Sequence, residues 1–274
     1  MLDTSATQRP SGHILVAEDN PLNQRVATVM LEHLGYRVDV VADGVDAVKA
    51  ATVTPYRAIL MDCQIPVLDG YQATGEIRRL QGASRHTPII AVTASATDSD
   101  QQRCLAAGMD DYLAKPLSLK TLATVLGRWA PSGHDVVIAA VAAEALPATL
   151  GTHAAVPAVP VLDALVVGRL ERLGKTVGED LMGQLAILFL ADADASVVAL
   201  REAHAGNDAA AMIRTAHTLR GASANLGATE LARLCATLAG DGSAGDLIGD
   251  GALLEAVEVE LERVRSALEM LTTP

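Results

Sequence analysis

The 274-residue chain has only three cysteines, Cys63, Cys104 and Cys235, and none of them shares the short spacing of a zinc-binding or disulfide-framework motif. Neither a structural zinc site nor a disulfide framework is expected, and so few thiols indicate a reducing compartment. The N-terminal segment lacks an apolar core behind a basic flank, which argues against a signal peptide. Glu144 and Pro147 interrupt the most apolar stretch, so no membrane span is expected. We therefore expect a cytoplasmic protein.

Clustered basic residues are also lacking. The formal net charge is −12, and most of it falls after Ala130, where nine Lys and Arg residues are outnumbered by nineteen Asp and Glu residues. A surface that binds nucleic acid needs clustered Lys and Arg. The composition therefore argues against a nucleic-acid partner, and it indicates an acidic second half.

The first half repeats one pattern, an apolar strand-like run that ends at a polar side chain. Four such runs end at Glu18-Asp19, Asp62, Thr93 and Lys115. In a parallel sheet the carboxyl ends of the strands meet at one edge, where open α/β folds bind their ligands. Three carboxylates at one place are poorly tolerated without a cation, and oxygen ligands beside a phosphoryl group suit Mg²⁺. The pattern thus predicts a magnesium site with one hydroxyl and one ammonium group beside it.

Helix signals alternate with these strands. Asn20-Pro21, Asp43-Gly44 and Ser118 are typical helix starts, and Gly35 and Gly108 are typical helix ends. Five strands that alternate with five helices predict a doubly wound, five-stranded parallel sheet over residues 12–130.

Residues 131–160 are rich in Ala, Val and Pro, which is typical of an interdomain linker, and a short helix over Val136–Leu146 is one option within it. Residues 161–274 show no strand pattern. Glycines at which helices are expected to end, and the short connections between those helices, predict an antiparallel helical bundle. The predicted helices are Asp163–Leu173, Glu179–Ala203, Asp208–Leu226, Thr229–Ala239 and Asp250–Leu271.

One segment of this predicted bundle, His217 to Ala228, combines a histidine, an arginine and several small residues. At about 100° per residue, Met212, Thr215, Leu219 and Leu226 fall on the helix side opposite His217. These residues are expected to form the core stripe. His217 is therefore expected to face solvent, where a partner's phosphoryl group has access to it.

The first half resembles the receiver domains of two-component signalling proteins. Its sequence motifs are most similar to those of receivers attached to hybrid sensor kinases. The motifs that carry the resemblance are Glu18-Asp19-Asn20, Met61-Asp62-Cys63-Gln64-Ile65-Pro66 and Lys115-Pro116. The resemblance implies a flavodoxin-like fold. Lys115-Pro116 is a candidate cis peptide, because an X-Pro bond at a tight turn adopts the cis form at low cost and would aim the ammonium group inward. The resemblance also implies these roles: Mg²⁺ ligands Glu18, Asp19, Asp62 and the Gln64 carbonyl, phosphoacceptor Asp62, switch residues Thr93 and Tyr112, and phosphate-binding Lys115.

The second half, from about Leu162 onward, resembles histidine-containing phosphotransfer (HPt) domains. The resemblance implies that His217 is phosphorylated, that Arg220 stands where the family usually has lysine, and that Gly221 leaves room for an incoming receiver. Together the two resemblances imply a phosphorelay in which Mg²⁺-dependent phosphorylation of Asp62 is linked to phosphotransfer to or from His217. The implied partners are an upstream histidine kinase and the receiver of a response regulator.

The chain shows no Gly-rich boxes of a kinase ATP-binding domain, so it is a relay protein or a relay fragment, and a hybrid kinase is one candidate parent. Two other functions stay open. One is a non-catalytic docking module that phosphorylation controls. The other is a Mg²⁺-dependent phosphohydrolase with an aspartyl nucleophile, although such enzymes usually have a second acid where this chain has Gln64.

Overall fold

In the computed structural model the described residues are 12–82, 86–93, 98–131, 161–240 and 251–272. The chain divides into two compact units. Five strands and five helices lie among the described residues up to 131, which are called the first unit below. These are β1 (His13–Ala17), α1 (Pro21–His33), β2 (Arg37–Val41), α2 (Gly44–Val53), β3 (Ala58–Asp62), α3 (Gly70–Gln81), β4 (Ile89–Thr93), α4 (Asp98–Ala106), β5 (Asp111–Ala114) and α5 (Leu119–Trp129).

The five strands form one parallel sheet with the order β2-β1-β3-β4-β5. This confirms the predicted doubly wound sheet. Every residue of β3 and β4 is buried, as expected for central strands that are covered on both faces. Because all strands run in one direction, their carboxyl ends share one edge of the sheet.

The helix starts in this unit depend on side-chain caps. Asn20, Asp43 and Ser118 each accept a hydrogen bond from the backbone N–H three residues later, as their sequence context predicted. Asp69 caps α3 in the same way, through the N–H of Gln72 at 2.7 Å, which the sequence analysis did not anticipate. Each such cap stabilises its helix by about 1 kcal/mol.

The second unit is helical over its described residues. Its helices are α6 (Ala164–Val177), α7 (Leu181–Ala205), α8 (Ala209–Leu226), α9 (Thr229–Leu238) and α10 (Gly251–Thr272). Helix α7 packs against α8 and α10, and α9 packs against the same two helices, so that the four form a closed bundle. Helix α6 packs on α7 and α8. Gly227, with a φ of 82°, ends α8 in a left-handed conformation that favours glycine. The predicted helical bundle is thus confirmed.

Helix α7 requires one correction to the sequence analysis. It has 25 residues, and among the described helices it alone is long and apolar enough to cross a membrane by length and composition. The expectation that no apolar stretch reaches this length was therefore wrong. Leu185, Phe189 and Leu200 of this helix are fully buried in the bundle. A core helix meets the same criterion, so the criterion alone does not assign a membrane span. The suggested helix over Val136–Leu146 lies outside the described residues.

Candidate functional site

Three carboxylates meet at the carboxyl ends of β1 and β3. Glu18 and Asp19 follow the last residue of β1, and Asp62 is the last residue of the neighbouring strand β3. One carboxylate oxygen from each lies within 4.8 Å of the other two. Glu18 and Asp62 are buried and Asp19 is half-buried. Clustered carboxylate oxygens are the donor set that Mg²⁺ prefers, so these residues fit the predicted ion.

Lys115 supplies the positive charge beside these acids. It follows β5, and its Nζ donates to Asp62 Oδ2 and Glu18 Oε2, both at 2.6 Å. Burial disfavours the charged form of Lys115, but the charges of Asp62 and Glu18 outweigh burial and leave its pKa above the ordinary value. The Lys115-Pro116 peptide is cis, as predicted. The predicted lysine therefore lies in direct contact with the predicted phosphoacceptor.

Two backbone features support Asp62, and sequence reasoning missed both. Asp62 Oδ1 accepts a hydrogen bond from the backbone N–H of Gln64 at 3.0 Å. Gln64 was predicted to contribute its carbonyl, and the contact that the structure shows is made by its N–H. Helix α3 begins against the same strand end, where Gly70 donates its N–H to the carbonyl of Cys63 at 3.2 Å. A Cβ at Gly70 would lie 2.1 Å from the carbonyl oxygen of Asp62. Only glycine allows this approach.

The two predicted switch residues lie on the neighbouring strands. Thr93 is the buried last residue of β4, and its carbonyl accepts the N–H of Lys115 at 2.7 Å. Tyr112 lies on the edge strand β5 with 36% of its surface exposed. The structure therefore brings Thr93 to the edge that carries Asp62 and Lys115, while it leaves the Tyr112 side chain open to solvent.

The predicted histidine lies on α8 of the helical unit. Met212, Leu219 and Leu226 are buried, as the helical pattern predicted, whereas Thr215 is only half-buried. His217 is half-buried, so it is less exposed than expected. Arg220, one turn further on, is also half-buried, and burial lowers its pKa from the ordinary value.

Comparison with known families finds two separate matches along the chain. Residues 14–127 match the response regulator receiver domain family, and residues 184–267 match the Hpt domain family. Both resemblances drawn from the sequence are thereby confirmed.

The curated relatives are much longer proteins. Sensor protein GacS of Pseudomonas syringae pv. syringae is 33% identical over 225 residues, which are 81% of this chain and 24% of that protein. Hybrid signal transduction histidine kinase G of Dictyostelium discoideum is 41% identical over 133 residues, 48% of this chain and 4% of that protein. The chain thus spans about a quarter or less of these relatives.

A solved structure is also similar to the first unit. It is the receiver domain of the sensor histidine kinase PA1611 of Pseudomonas aeruginosa, with a magnesium ion coordinated in its active site cleft. It is 55% identical, covers 43% of this chain and 97% of that chain, and has a TM-score of 0.41.

Proposed function

The chain consists of a response regulator receiver domain followed by an Hpt domain, the domains of two-component phosphorelays, and we propose that it relays phosphoryl groups between Asp62 and His217. The observation that carries this proposal is the contact of Lys115 with Asp62 and Glu18 beside a three-carboxylate cluster. The site combines a carboxylate nucleophile with a fixed ammonium group. Phosphoryl transfer to a carboxylate needs both features, because the transferring group carries negative charge that must be compensated.

The chemistry at Asp62 follows from these contacts. A carboxylate oxygen of Asp62 attacks the phosphorus atom of the donor, and the bond from phosphorus to the donor's leaving atom breaks. Glu18, Asp19 and Asp62 are positioned to hold Mg²⁺, which would supply further charge compensation for the phosphoryl oxygens. Lys115 exchanges its contact with Asp62 for a phosphoryl oxygen, and it keeps its contact with Glu18. The Gln64 N–H fixes the orientation of the Asp62 carboxylate.

Asp62→Asn tests the first step, because it removes the nucleophilic charge with little change in shape. The chain is incubated with Mg²⁺ and a radiolabelled small phosphodonor, and label on the protein is measured. We expect Asp62→Asn to lose the label. Asp69→Asn is the matched control, because asparagine caps a helix as aspartate does and Asp69 lies outside the carboxylate cluster. Unchanged labelling of Asp62→Asn would refute the assignment, and chelation of Mg²⁺ should suppress labelling of the wild type.

The second step passes the phosphoryl group between Asp62 and His217. An imidazole nitrogen attacks the phosphorus of the aspartyl phosphate, and the bond from phosphorus to the carboxylate oxygen breaks. The reverse step regenerates the aspartyl phosphate. A histidine on a helix, with the positive charge of Arg220 one turn away, suits this exchange.

His217→Gln tests this second step. It should leave labelling of Asp62 intact and remove acid-labile, base-stable phosphohistidine. His204→Gln is the matched control, because His204 lies at the end of α7 outside the proposed site. If the wild type, phosphorylated at Asp62 and supplied with candidate receivers, yields no phosphohistidine, the relay fails and the docking-module function replaces it.

We propose a histidine kinase as the upstream donor and the receiver of a response regulator as the downstream partner. We also propose that the chain works in the cytoplasm as the C-terminal part of a hybrid sensor kinase. The histidine kinase relatives support the partners and the parent protein, and the low cysteine content supports the cytoplasm. A pull-down of the phosphorylated chain with purified candidate receivers tests the downstream partner.

A further inference from the structure

The loop between β3 and α3 holds a valine in a backbone conformation that its side chain disfavours. Among the described non-glycine residues, only Val67 and Asn207 have a positive φ, of 68° and 53°. Asparagine tolerates such angles, whereas a β-branched residue is strained there. The N–H of Leu68 donates to the carbonyl of Pro66 at 2.8 Å, so Val67 is the central residue of a γ-turn. A γ-turn with a positive central φ is rare and strained.

The residues on both sides of Val67 hold it in this turn. Ile65 is buried in the core of the receiver unit, Leu68 packs against the same core, and Asp69 caps α3. Strained backbone persists where its surroundings fix it in this way, and it concentrates at sites that bind other molecules. The Val67 side chain gives little packing in return, because 82% of its surface is exposed. The receiver unit therefore carries a strained residue for which its own packing compensates little.

Val67 lies near the carboxylate that is proposed to accept the phosphoryl group. The loop closes at its base, where the Gly70 N–H donates to the Cys63 carbonyl at 3.2 Å. Val67 is three residues from Gly70, and three extended residues span at most about 11 Å. A Cβ at Gly70 would lie 2.1 Å from the Asp62 carbonyl oxygen, so the Val67 Cα is within about 15 Å of that oxygen. A typical interface covers about 800 Å² of each partner, which is a patch of about 16 Å radius. A domain centred on Asp62 therefore reaches Val67.

The helical unit exposes an apolar residue beside its own reactive side chain. Ile213 lies four residues before His217 on α8, and residues at this spacing are neighbours on one side of a helix. Ile213 is 39% exposed. A histidine that approaches Asp62 from such a helix brings Ile213 with it. Each of the two sites that must meet for phosphotransfer thus has an exposed apolar side chain near it.

We propose that Val67 is a docking residue, and that it packs against Ile213 of an Hpt domain while His217 of that domain exchanges a phosphoryl group with Asp62. The partner is the Hpt domain of a second copy of this chain. Burial of the two side chains against each other removes apolar surface from water, which favours the complex. This contact gives a reason for a strained, exposed valine in the loop, and it rests on the proposed function of Asp62 and His217.

Phosphotransfer between two copies tests this contact. The donor is the His217→Gln chain, labelled at Asp62 with a radiolabelled small phosphodonor and then separated from it. The acceptor is the Asp62→Asn chain, which keeps His217 and takes no label from the phosphodonor. Acid-labile, base-stable label then arises only on the acceptor, and its initial rate is measured against acceptor concentration in the presence of Mg²⁺.

We expect Val67→Ala in the donor to raise the half-saturating acceptor concentration by roughly tenfold, because two methyl groups lose their apolar contact. Ile213→Ala in the acceptor should have a similar effect, and the maximal rate should change by no more than a few-fold. Since both variants remove the same contact, the two together should weaken docking hardly more than one alone. Val67→Ile keeps the apolar contact and should behave like the unchanged donor.

Two other exposed apolar residues provide matched controls. Val53→Ala in the donor changes a valine that is 85% exposed at the end of α2, and Ile187→Ala in the acceptor changes an isoleucine that is 72% exposed on α7. Neither should alter the half-saturating concentration. Val67→Gly relieves the positive φ, so it should weaken docking as Val67→Ala does without lowering the urea midpoint of the receiver unit. A lower midpoint would assign Val67 to the fold instead and overturn the docking role.

The remaining outcomes separate the docking role from the proposed function. Unchanged transfer kinetics for Val67→Ala, or effects of Val67→Ala and Ile213→Ala that multiply to roughly 100-fold, would overturn the contact. Label on Asp62 that never reaches His217 of the second copy would overturn the choice of partner. Labelling by the small phosphodonor should be the same in Val67→Ala and in the wild type. Loss of that label in the wild type would refute the proposed function and the docking role with it, whereas normal label with unchanged transfer kinetics would refute the docking role alone.

Discussion

Gly70→Ala is the substitution for which the structure gives the sharpest expectation. The new Cβ would lie 2.1 Å from the Asp62 carbonyl oxygen and 3.0 Å from both the Asp62 carbonyl carbon and the Cys63 Cα. All three atoms belong to the backbone at the carboxyl end of β3, in Asp62 and the following Cys63, so no side-chain rotation relieves the contact. The start of α3 must move away from the strand end by roughly 1 Å to restore a normal van der Waals contact.

The cost has two parts. Overpacking against fixed atoms costs about 1–3 kcal/mol. Displacement of α3 also weakens the hydrogen bond from Gly70 to Cys63, which contributes about 1 kcal/mol. We therefore expect Gly70→Ala to destabilise the receiver unit by about 2–4 kcal/mol. Any part of this strain that displaces the Asp62 carboxylate should also slow its labelling, by up to roughly 100-fold for a displacement of about 1 Å.

Gly75→Ala on the same helix is the matched control. A Cβ at Gly75 meets nothing within 4 Å, so alanine should stabilise α3 by up to about 1 kcal/mol. Urea unfolding followed by the fluorescence of Trp129 measures the receiver unit alone, since this residue is the chain's single tryptophan. Changes of opposite sign in the free energy of unfolding for Gly70→Ala and Gly75→Ala would support the close approach of α3 to β3. Equal effects, or a Gly70→Ala protein of wild-type stability, would refute it.

Three further outcomes are expected. Phe189→Ala should destabilise the helical unit by about 3–5 kcal/mol because its ring is fully buried, whereas Ile187→Ala, 72% exposed, should stay within about 0.5 kcal/mol in thermal unfolding. Burial and the hydrogen bond to Asp39 raise the pKa of Tyr56 to about 12, so its stabilising contribution is complete below pH about 10 and is lost as the pH rises through the folded value. Denaturation from pH 8 to 12 should therefore show the advantage of the wild type over Tyr56→Phe disappearing at the alkaline end, and a constant difference would contradict this. Tyr112→Ala should leave phosphoacceptor labelling within a few-fold but weaken any phosphorylation-dependent binding of a partner, and loss of labelling would contradict a switch role.

The strand ends could be predicted from the sequence because each is a local signal. Ala58–Asp62 and Ile89–Thr93 are each apolar up to a polar last residue. Such runs are typical of buried parallel strands. Once five such strands are taken as parallel, the meeting of Glu18, Asp62 and Lys115 follows from topology alone. The cap residues were local signals of the same kind.

The features that the sequence did not predict depend on how the helices pack against the sheet. The approach of Gly70 to Asp62 and the contact of Cys63 with Cys104 are set by the positions of α3 and α4, which no spacing in the sequence encodes. The half-burial of His217 likewise depends on its surroundings in the folded chain, whereas helical periodicity reports only the side of the helix on which it lies.

The charges at the strand ends give a physical reason for combining one lysine with three acids. Glu18 and Asp62 are buried, and a buried carboxylate without a partner is strongly destabilising. Lys115 contacts both, so the fold tolerates them before any cation binds. With all four groups ionised, the three carboxylates and one ammonium leave two uncompensated negative charges, which is the charge that a divalent cation neutralises. In the proposed function, a phosphoryl group on Asp62 would add new negative charge beside Lys115, which Glu18 already holds there. The same lysine thus stabilises the two buried acids and would remain available to the phosphorylated site that we propose.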